Sequence, residues 1–212
     1  MKLLIIIPAR KNSKRLKNKN IKKFNGTNLV ENSILFAKKN FKKSKIIVST
    51  DSSLIKKKSL KHGVLCPWLR PKELSGDKAT TISVLKHALK WCENIYGNFE
   101  VVLLLQPTTP FRKKEDLKFC LANFFKIKNF TNSSLISVKN IKKLDKKDRK
   151  IINLNKKNNY RPSGSFYLIG RNKLVKKKTI FGKSTYGYLV KKKKFNIDID
   201  TIEDFKLAKK FL

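Results

Sequence analysis

Short, wholly apolar runs separated by amphipathic stretches are the feature of this sequence that most restricts its fold. Residues 3–7 form such a run before Pro8, and residues 101–105 form another before Gln106. Runs of this kind are typical of strands that are buried on both faces of a parallel sheet. Residues 80–96, between them, carry apolar side chains at helical spacing. This alternation predicts an α/β chain with a mostly parallel sheet and helices on both faces.

The other periodic segments complete this expectation. Asn28 with Glu31, and Thr201 with Asp204, have the spacing of helix-capping pairs. Residues 139–159 are rich in Lys, Asn and Asp and are predicted to form a surface loop or a weak hairpin. With no repeat or dividing linker, residues 1–212 are expected to form one domain. Further strands are predicted at residues 46–48, 135–138, 166–169, 186–190 and 195–199, and further helices after Asn28 and at residues 52–61, 113–126 and 201–212.

The composition excludes several classes of protein. With 40% hydrophobic residues the chain is too apolar to be disordered, and the run at residues 3–7 is too short to span a membrane. It also lacks the cleavage region of a signal peptide, so a cytoplasmic protein is expected. Cys66, Cys92 and Cys120 form no metal-binding pattern and would be reduced in the cytosol.

The net charge of +38 suggests a polyanionic partner such as nucleic acid. However, lysines outnumber arginines 45 to 7 and are spread along the whole chain. Nucleic-acid readers usually favour Arg for its bidentate contacts, so we favour a compositional origin for this charge. A positive field would still attract a nucleoside triphosphate and a sugar carboxylate.

Ligands of open α/β sheets bind beyond the carboxyl ends of the strands. After the first strand, residues 8–20 contain Arg10, Ser13, Lys14 and Lys19, a set of donors that suits a triphosphate. The segment has neither glycine nor G-K-[ST], so it is not a Walker loop. A solvated basic loop would account equally well for its charge.

Three further polar segments also follow strands or helices. Ser49-Thr50-Asp51 follows the second strand, and we favour a helix-capping role for it. Arg70 and Asp77 share a loop that an ion pair between them would hold together, and Asp77 is also a candidate cap for the next helix. In Q-P-T-T-P, from Gln106, two prolines stiffen a turn whose amide and hydroxyls can read a base or a sugar. An ordinary turn is the alternative there.

Asp198 and Asp200 are two residues apart in a predicted strand, so their side chains should point to one side. Two such carboxylates repel each other unless a cation lies between them, and hard oxygen ligands suit Mg²⁺. Capping of the last helix is the alternative, but Thr201 can do that alone, so we favour a magnesium site. His62 and His87 are interpreted as structural residues.

Five segments, in this order, resemble the acylneuraminate cytidylyltransferases, the family of the CMP-N-acetylneuraminic acid synthetases. The segments cover nearly the whole chain. They read I-I-P-A-R-x-x-S-K-R-L-x-x-K-N-I, V-S-T-D-S, L-R-P-x-E-L-S-x-D, L-L-Q-P-T-T-P-F-R and I-D-I-D-T-x-E-D.

The resemblance implies a Rossmann-like α/β/α nucleotidyltransferase with a small dimerisation element within residues 139–190, and therefore a homodimer. It implies transfer of CMP from CTP to an acidic nine-carbon, sialic-acid-like sugar, with release of pyrophosphate and with Mg²⁺ as cofactor. Arg10, Lys14, Asp198 and Asp200 would be catalytic. The implied nucleotide-binding residues are Pro8, Ala9, Arg10, Ser13, Lys14, Lys19, Asn20, Arg70 and Thr81; the implied sugar-binding residues are Gln106, Arg161, Tyr167 and Phe181; and the implied metal ligands are Asp198 and Asp200.

The chain departs from the family pattern at Asn12, where Gly is usual, at Ser163, where Asn is usual, and in a shortened segment at residues 139–159. Asn12 would have to tolerate a left-handed backbone there. Two other functions stay open at this point. One is a CTP-dependent transferase for Kdo or another sugar, and the other is a basic nucleic-acid-binding protein.

Overall fold

The fold is a mixed α/β sandwich around a seven-stranded sheet, seen in a computed structural model that describes residues 2–140, 151–154 and 159–212. The strand order is β4-β1-β5-β8-β6-β9-β7. Among the described strands, β1, β4, β5, β6 and β9 run in one direction, while β7 and β8 run in the other. The strands are β1 Leu3–Pro8, β2 Lys23–Phe24, β3 Thr27–Asn28, β4 Lys45–Ser49, β5 Val101–Leu104, β6 Ser134–Asn140, β7 Ile151–Asn153, β8 Tyr160–Gly170 and β9 Thr185–Leu189.

Helices cover both faces of the sheet. Alternate residues of β1 point to opposite sides, because successive side chains of a strand do so. Leu3, Ile5 and Ile7 therefore pack in one core with helices α1 and α4, and Leu4 and Ile6 pack in another with α3. This three-layer arrangement confirms the predicted fold class. The helices are α1 Leu29–Asn40, α2 Ser53–Lys61, α3 Thr81–Tyr96, α4 Lys114–Phe124, α5 Arg171–Lys176 and α6 Ile202–Lys209.

A third, smaller core joins the beginning of the chain to its end. Leu16 and Phe24 pack with Ile197, Ile199 and Phe205, all of them nearly inaccessible to solvent. Burial of each such side chain stabilises a fold by about 1.5–3 kcal/mol. The Phe24 ring also meets the Phe205 ring edge-on, with centroids 5.8 Å apart. This core fixes the segment after β1 against the segment before α6.

Most of the predicted elements are confirmed, including both capping pairs. The Asn28 side chain accepts a hydrogen bond from Glu31 N, and Thr201 with Asp204 forms a complete capping box. The alternative in which Asp77 caps α3 is wrong, because Thr80 does so by accepting from Ser83 N.

The predicted strand at residues 195–199 is also wrong. Lys193–Asn196 is a 3₁₀ turn, and Ile199 N donates to Thr108 O at 2.7 Å, outside any strand. The apolar alternation there serves the third core and not the sheet. Of the predicted loop or hairpin at residues 139–159, β6 extends to Asn140 and Ile151–Asn153 is β7. The remainder, apart from positions 154 and 159, lies outside the described residues. No helix within the described ranges has both the length and the apolar character needed to cross a membrane.

Candidate active site

The carboxyl ends of three parallel strands, β1, β4 and β5, lie at one edge of the sheet. Pro8 of β1 lies opposite Ser49 of β4, and Ala9 N donates to Ser49 O at 2.9 Å. On the other side of β1, β5 ends beside it and leads to Gln106. Because β8 is antiparallel to β5, the beginning of β8, around Gly164, lies at this same edge. The sequence motifs at these strand ends therefore lie together at one edge of the sheet, and we call the space between them the cleft.

The basic segment after β1 reaches the acidic residues near the end of the chain. Lys19, which is 8% exposed, places Nζ 2.7 Å from Asp200 Oδ1. Arg15 Nη2 lies 2.5 Å from Asp200 Oδ2. The buried Asn20 donates from Nδ2 to Arg10 O at 2.8 Å, which holds the segment in a closed turn. The two regions that the sequence assigned to one site are thus in direct contact.

Asn12 does not need the left-handed backbone that its family position suggested. The described non-glycine residues with positive φ are Asn18, Asn25, Asn129 and Ser184. The replacement of the usual Gly by Asn therefore strains nothing at position 12.

Two further aspartates tie the basic segment to neighbouring loops. Asp77 contacts Arg10 Nη1 at 3.3 Å and Lys14 Nζ at 2.8 Å. Asp51 accepts from Lys11 N at 2.6 Å and lies 3.6 Å from Arg70 Nη2. Asp51 does not cap α2, because Ser52 does. Asp77 likewise pairs across the cleft and not with Arg70 of its own loop.

Arg70 has unused hydrogen-bonding capacity. Its Nε and Nη2 atoms are buried and have no hydrogen-bond partner among the described residues. Burial lowers the pKa of the guanidinium, and the nearby Asp51 offsets this only in part. An arginine held in this way, at the end of β4, is prepared to bind an acceptor from a ligand.

Asp198 faces the other wall of the cleft. A methyl group built on Gly164 would lie 3.6 Å from Asp198 Oδ2 and 3.3 Å from Gln106 Oε1, so both side chains reach the same point on β8. Asp198 is partly accessible to solvent, but the protein atoms around its carboxyl group reduce its hydration, and this desolvation raises its pKa. A hydrogen bond from Thr108 opposes this shift, and the charge of Asp200 adds to it.

Tyr167 on β8 lies beside these acids. Burial, followed by the charge of Asp198, raises the pKa of its hydroxyl to about 12. The hydroxyl therefore stays protonated at neutral pH and is available as a hydrogen-bond donor beside Asp198.

Arg112 braces the wall formed by Gln106 and β8 from behind. Its Nε donates to Ser165 O at 2.9 Å, its Nη2 donates to Gln106 O, and its Nη1 reaches Ser33 Oγ at 3.3 Å. Thr109, fully buried, donates to Gly164 O at 2.9 Å. These bonds fix the Gln106 backbone against β8.

The structure gathers the predicted residues Arg10, Lys14, Lys19, Asn20, Gln106, Asp198 and Asp200 at this edge of the sheet. Within the described ranges no hydrogen bond or ion pair ties Ser13 or Thr81 to them. Phe181, 44% exposed, lines a separate hollow with Tyr160 and Pro162, and no contact among the described residues joins it to Gln106 or Asp198. Arg161 is exposed on β8, opposite Lys139 of β6. Sequence reasoning gave no site role to Arg15 or Arg112, which lie within the quoted motifs, or to Gly164, which follows Ser163.

Two carboxylates fit part of a magnesium site. Among the described residues no group of three or more His, Cys, Asp or Glu side chains could hold a metal ion. Asp198 and Asp200 offer hard oxygen atoms and repel each other, which a cation between them would relieve. Mg²⁺ commonly takes one or two protein carboxylates and completes its shell with phosphate oxygens and water. The donor set is therefore of the right chemistry for Mg²⁺ bound together with a phosphate ligand.

Known proteins match this chain along nearly its whole length. A family model described as cytidylyltransferase matches residues 4–211. The chain is 30% identical to the CMP-N,N'-diacetyllegionaminic acid synthase of Legionella pneumophila, over 100% of this chain and 97% of that protein. It is 28% identical to the pseudaminic acid cytidylyltransferase of Campylobacter jejuni, over 99% of this chain and 95% of that protein.

A longer relative and a solved structure extend the comparison. The chain is 30% identical to the N-acylneuraminate cytidylyltransferase of Escherichia coli over 98% of its length, but it spans only 51% of that protein. Its fold is similar to that of a CMP:2-keto-3-deoxy-manno-octonic acid synthetase complexed with CTP, with a TM-score of 0.72 at 14% identity. That match covers 100% of this chain and 98% of the other.

Proposed function

Because the chain belongs to the cytidylyltransferase family and is a nucleotidyltransferase, we propose that it transfers CMP from CTP to a sialic-acid-like nonulosonic acid. Relatives named for legionaminic, neuraminic and pseudaminic acids support this class of substrate. The observation that carries the proposal is the 2.7 Å contact between Lys19 of the basic segment and Asp200. The contact supports the proposal because it joins the basic segment, which we assign to the phosphates, to the acidic pair that we assign to the metal.

In the proposed reaction the base of CTP lies against the turn of Pro8 and Ala9, near Arg70 and Thr81. The phosphates bind to the cations and donors of the basic segment. Arg70, whose Nε forms no hydrogen bond and whose Nη2 faces Asp51 at 3.6 Å, would supply a further donor on the base side. These nucleotide-side residues are Arg10, Ser13, Lys14, Lys19 and Asn20.

The sugar would lie on the opposite wall, against Gln106 and the protonated Tyr167. Arg161, on the outer part of β8, and Phe181, in the separate hollow, are proposed to complete its binding. The anomeric hydroxyl attacks the α-phosphorus in line. An O–P bond forms as the bond to the pyrophosphate oxygen breaks, and the hydroxyl proton passes to solvent. The protein's part is to position the reactants and to neutralise charge on the phosphates.

Asp198 and Asp200 would hold Mg²⁺. That ion would neutralise phosphate charge and lower the pKa of the attacking hydroxyl. Lys19 and Arg15 already neutralise Asp200 in the protein alone, at 2.7 and 2.5 Å. If Asp200 binds the metal ion, Lys19 and Arg15 would lose this partner and could contact the phosphates instead.

A homodimer and a cytoplasmic location are part of the proposal. A mostly apolar hollow of about 670 Å³ lies beside β6, β8 and β9, and it offers a surface for a second subunit. Its lining includes Ile136, Val138, Leu154 and Phe181. The three cysteines are buried and free, as expected in a reducing compartment.

The test is pyrophosphate release from CTP with a panel of N-acetylneuraminate, diacetyllegionaminate, pseudaminate and Kdo. Turnover with a nonulosonic acid supports the proposal, whereas turnover with Kdo alone would reassign the substrate. Asp198→Ala should reduce turnover by at least about 100-fold, because it removes charge stabilisation at the reacting phosphate. Glu115→Ala, which removes an exposed acid from α4, is the matched control and should retain the wild-type rate. A wild-type rate in Asp198→Ala, with the fold unchanged by circular dichroism, would refute the assignment of Asp198.

A further inference from the structure

The loop between Arg70 and Thr80 is anchored at both ends, and its middle is exposed. Arg70 N donates to Thr50 O at 2.7 Å, and the Arg70 side chain is buried. At the other end, Thr80 caps α3 by accepting from Ser83 N at 3.1 Å. Gly76 and Asp77, between these anchors, are exposed. The Asp77 carboxylate is therefore presented to solvent between two fixed points of the chain.

Asp77 connects this loop to two of the proposed phosphate-binding residues by ion pairs. Its Oδ1 lies 3.3 Å from Arg10 Nη1 and its Oδ2 lies 2.8 Å from Lys14 Nζ. The hydrogen bond from Lys14, together with the charges of Lys14 and Arg10, holds the pKa of Asp77 below its usual value. One carboxylate thus engages two cations through two separate oxygens, as a phosphate group does. Asp77 has no capping role, so its described contacts are with these cations alone.

We propose that Asp77 is an internal counterion that occupies Arg10 and Lys14 in the absence of nucleotide and is displaced by the triphosphate. This inference rests on the proposed function, which assigns both cations to CTP. Without a counterion the cations repel each other, and Arg10 already lowers the pKa of Arg70. Asp77 relieves that repulsion and ties the two loops across the entrance to the nucleotide side of the cleft.

The contact is weak enough to be exchanged. The side chains of Arg10, Lys14 and Asp77 are 41%, 74% and 56% exposed. Exposed ion pairs contribute little to stability, whereas a triphosphate offers several anionic oxygens to the same donors. Removal of the Asp77 charge should therefore free both cations at small cost to the fold. We expect CTP to bind about threefold to tenfold more tightly to Asp77→Asn, as for the loss of two exposed pairs.

The experiment is calorimetric titration of CTP into the full chain without sugar, at low and at moderate salt. Asp77→Asn and Asp77→Ala should both tighten binding, and the gain should shrink as salt screens the ion pairs. Glu73→Gln removes the same charge from the same loop but from a residue that forms no ion pair with Arg10 or Lys14. It should leave the affinity within about twofold of wild type.

Three outcomes are decisive. Tighter binding to both Asp77 variants but not to Glu73→Gln supports the counterion role. Equal or weaker binding to the Asp77 variants, with wild type binding CTP normally, overturns that role and leaves the proposed function intact. Failure of wild type to bind CTP at all overturns both.

Discussion

Substitution of Gly164 by Ala is the sharpest local perturbation of the proposed sugar side. Gly164 has φ +82°, which an L-residue rarely adopts. A Cβ there would lie 2.7 Å from Thr109 Cγ2, and an ordinary contact of about 3.4 Å needs a movement of roughly 0.7 Å. Thr109 is fully buried, its hydroxyl donates to Gly164 O and its backbone N–H donates to Gln106 O, so it cannot move alone.

The cost has two parts. The left-handed backbone costs roughly 1–2 kcal/mol for a residue with a Cβ. Overpacking against the buried Thr109 adds about 1–3 kcal/mol. Gly26 offers a matched control, because it has φ +72° and no atom within 4 Å of a built Cβ. Gly26→Ala carries the backbone cost and the same reduction of unfolded-chain entropy, without the clash. The difference between the two variants therefore isolates the close approach at Gly164.

The assay is urea unfolding of both variants together with pyrophosphate release. Gly164→Ala should lose about 1–3 kcal/mol more unfolding free energy than Gly26→Ala. It should also lose at least about tenfold in turnover, because a shift of Thr109 displaces Gln106, and misplaced substrate contacts reduce rates strongly. Gly26→Ala should keep the wild-type rate. Equal stability and equal turnover in the two variants would refute the argument from close approach.

Two further predictions concern buried cations outside the cleft. Arg112→Lys loses the planar fork that reaches Gln106 O and Ser165 O together, so it should lower the unfolding free energy in urea by about 1–3 kcal/mol and also slow turnover. Unchanged stability would show that Arg112 is not a brace. Lys173 is buried, and burial lowers the pKa of its ammonium to about 8. The folded chain thus releases this proton near pH 8 and the unfolded chain near pH 10.4, so stability relative to Lys173→Met should rise by up to about 2 kcal/mol from pH 8 to pH 10. The exposed Lys176→Met is the control, and a pH-independent difference for Lys173→Met would contradict the shift.

The strands and helices of the sandwich follow from sequence because their apolar periods match their geometry. Residues 3–7 and 101–105 read as buried strands, and they are. The segment at residues 195–199 alternates apolar and polar residues as a half-buried strand does, yet Ile197 and Ile199 pack against Leu16, Phe24 and Phe205 instead of joining the sheet. The spacing of apolar residues indicates which side chains are buried. It does not indicate whether they are buried in a sheet or beside a loop. That is why the strand was predicted wrongly although its apolar residues are indeed buried.

The partners within the site were harder to predict than its location. The rule for strand ends placed Arg10, Lys19, Gln106 and Asp200 near one edge of the sheet. Nothing in the spacing of Asp77 indicates that it pairs with Lys14, which is 63 positions away, because ion pairs across loops have no sequence period. Gly164 could have been singled out, since a glycine within a strand often marks close backbone approach.

The positions of the acidic residues indicate the functional site in this chain better than the positions of the lysines do. The chain has 52 basic and only 14 acidic residues. A lysine is therefore expected on every part of the surface, and its presence at one place does not indicate a function there. Among the described residues, however, Asp51, Asp77 and Asp200 all contact the segment that follows β1, and Asp198 lies beside Asp200. Acids scattered by composition alone would not gather around one basic segment. This concentration is expected where cations must be held in place and then released to an anionic ligand. Before the ligand binds, the carboxylates reduce the repulsion between the neighbouring cations of the segment.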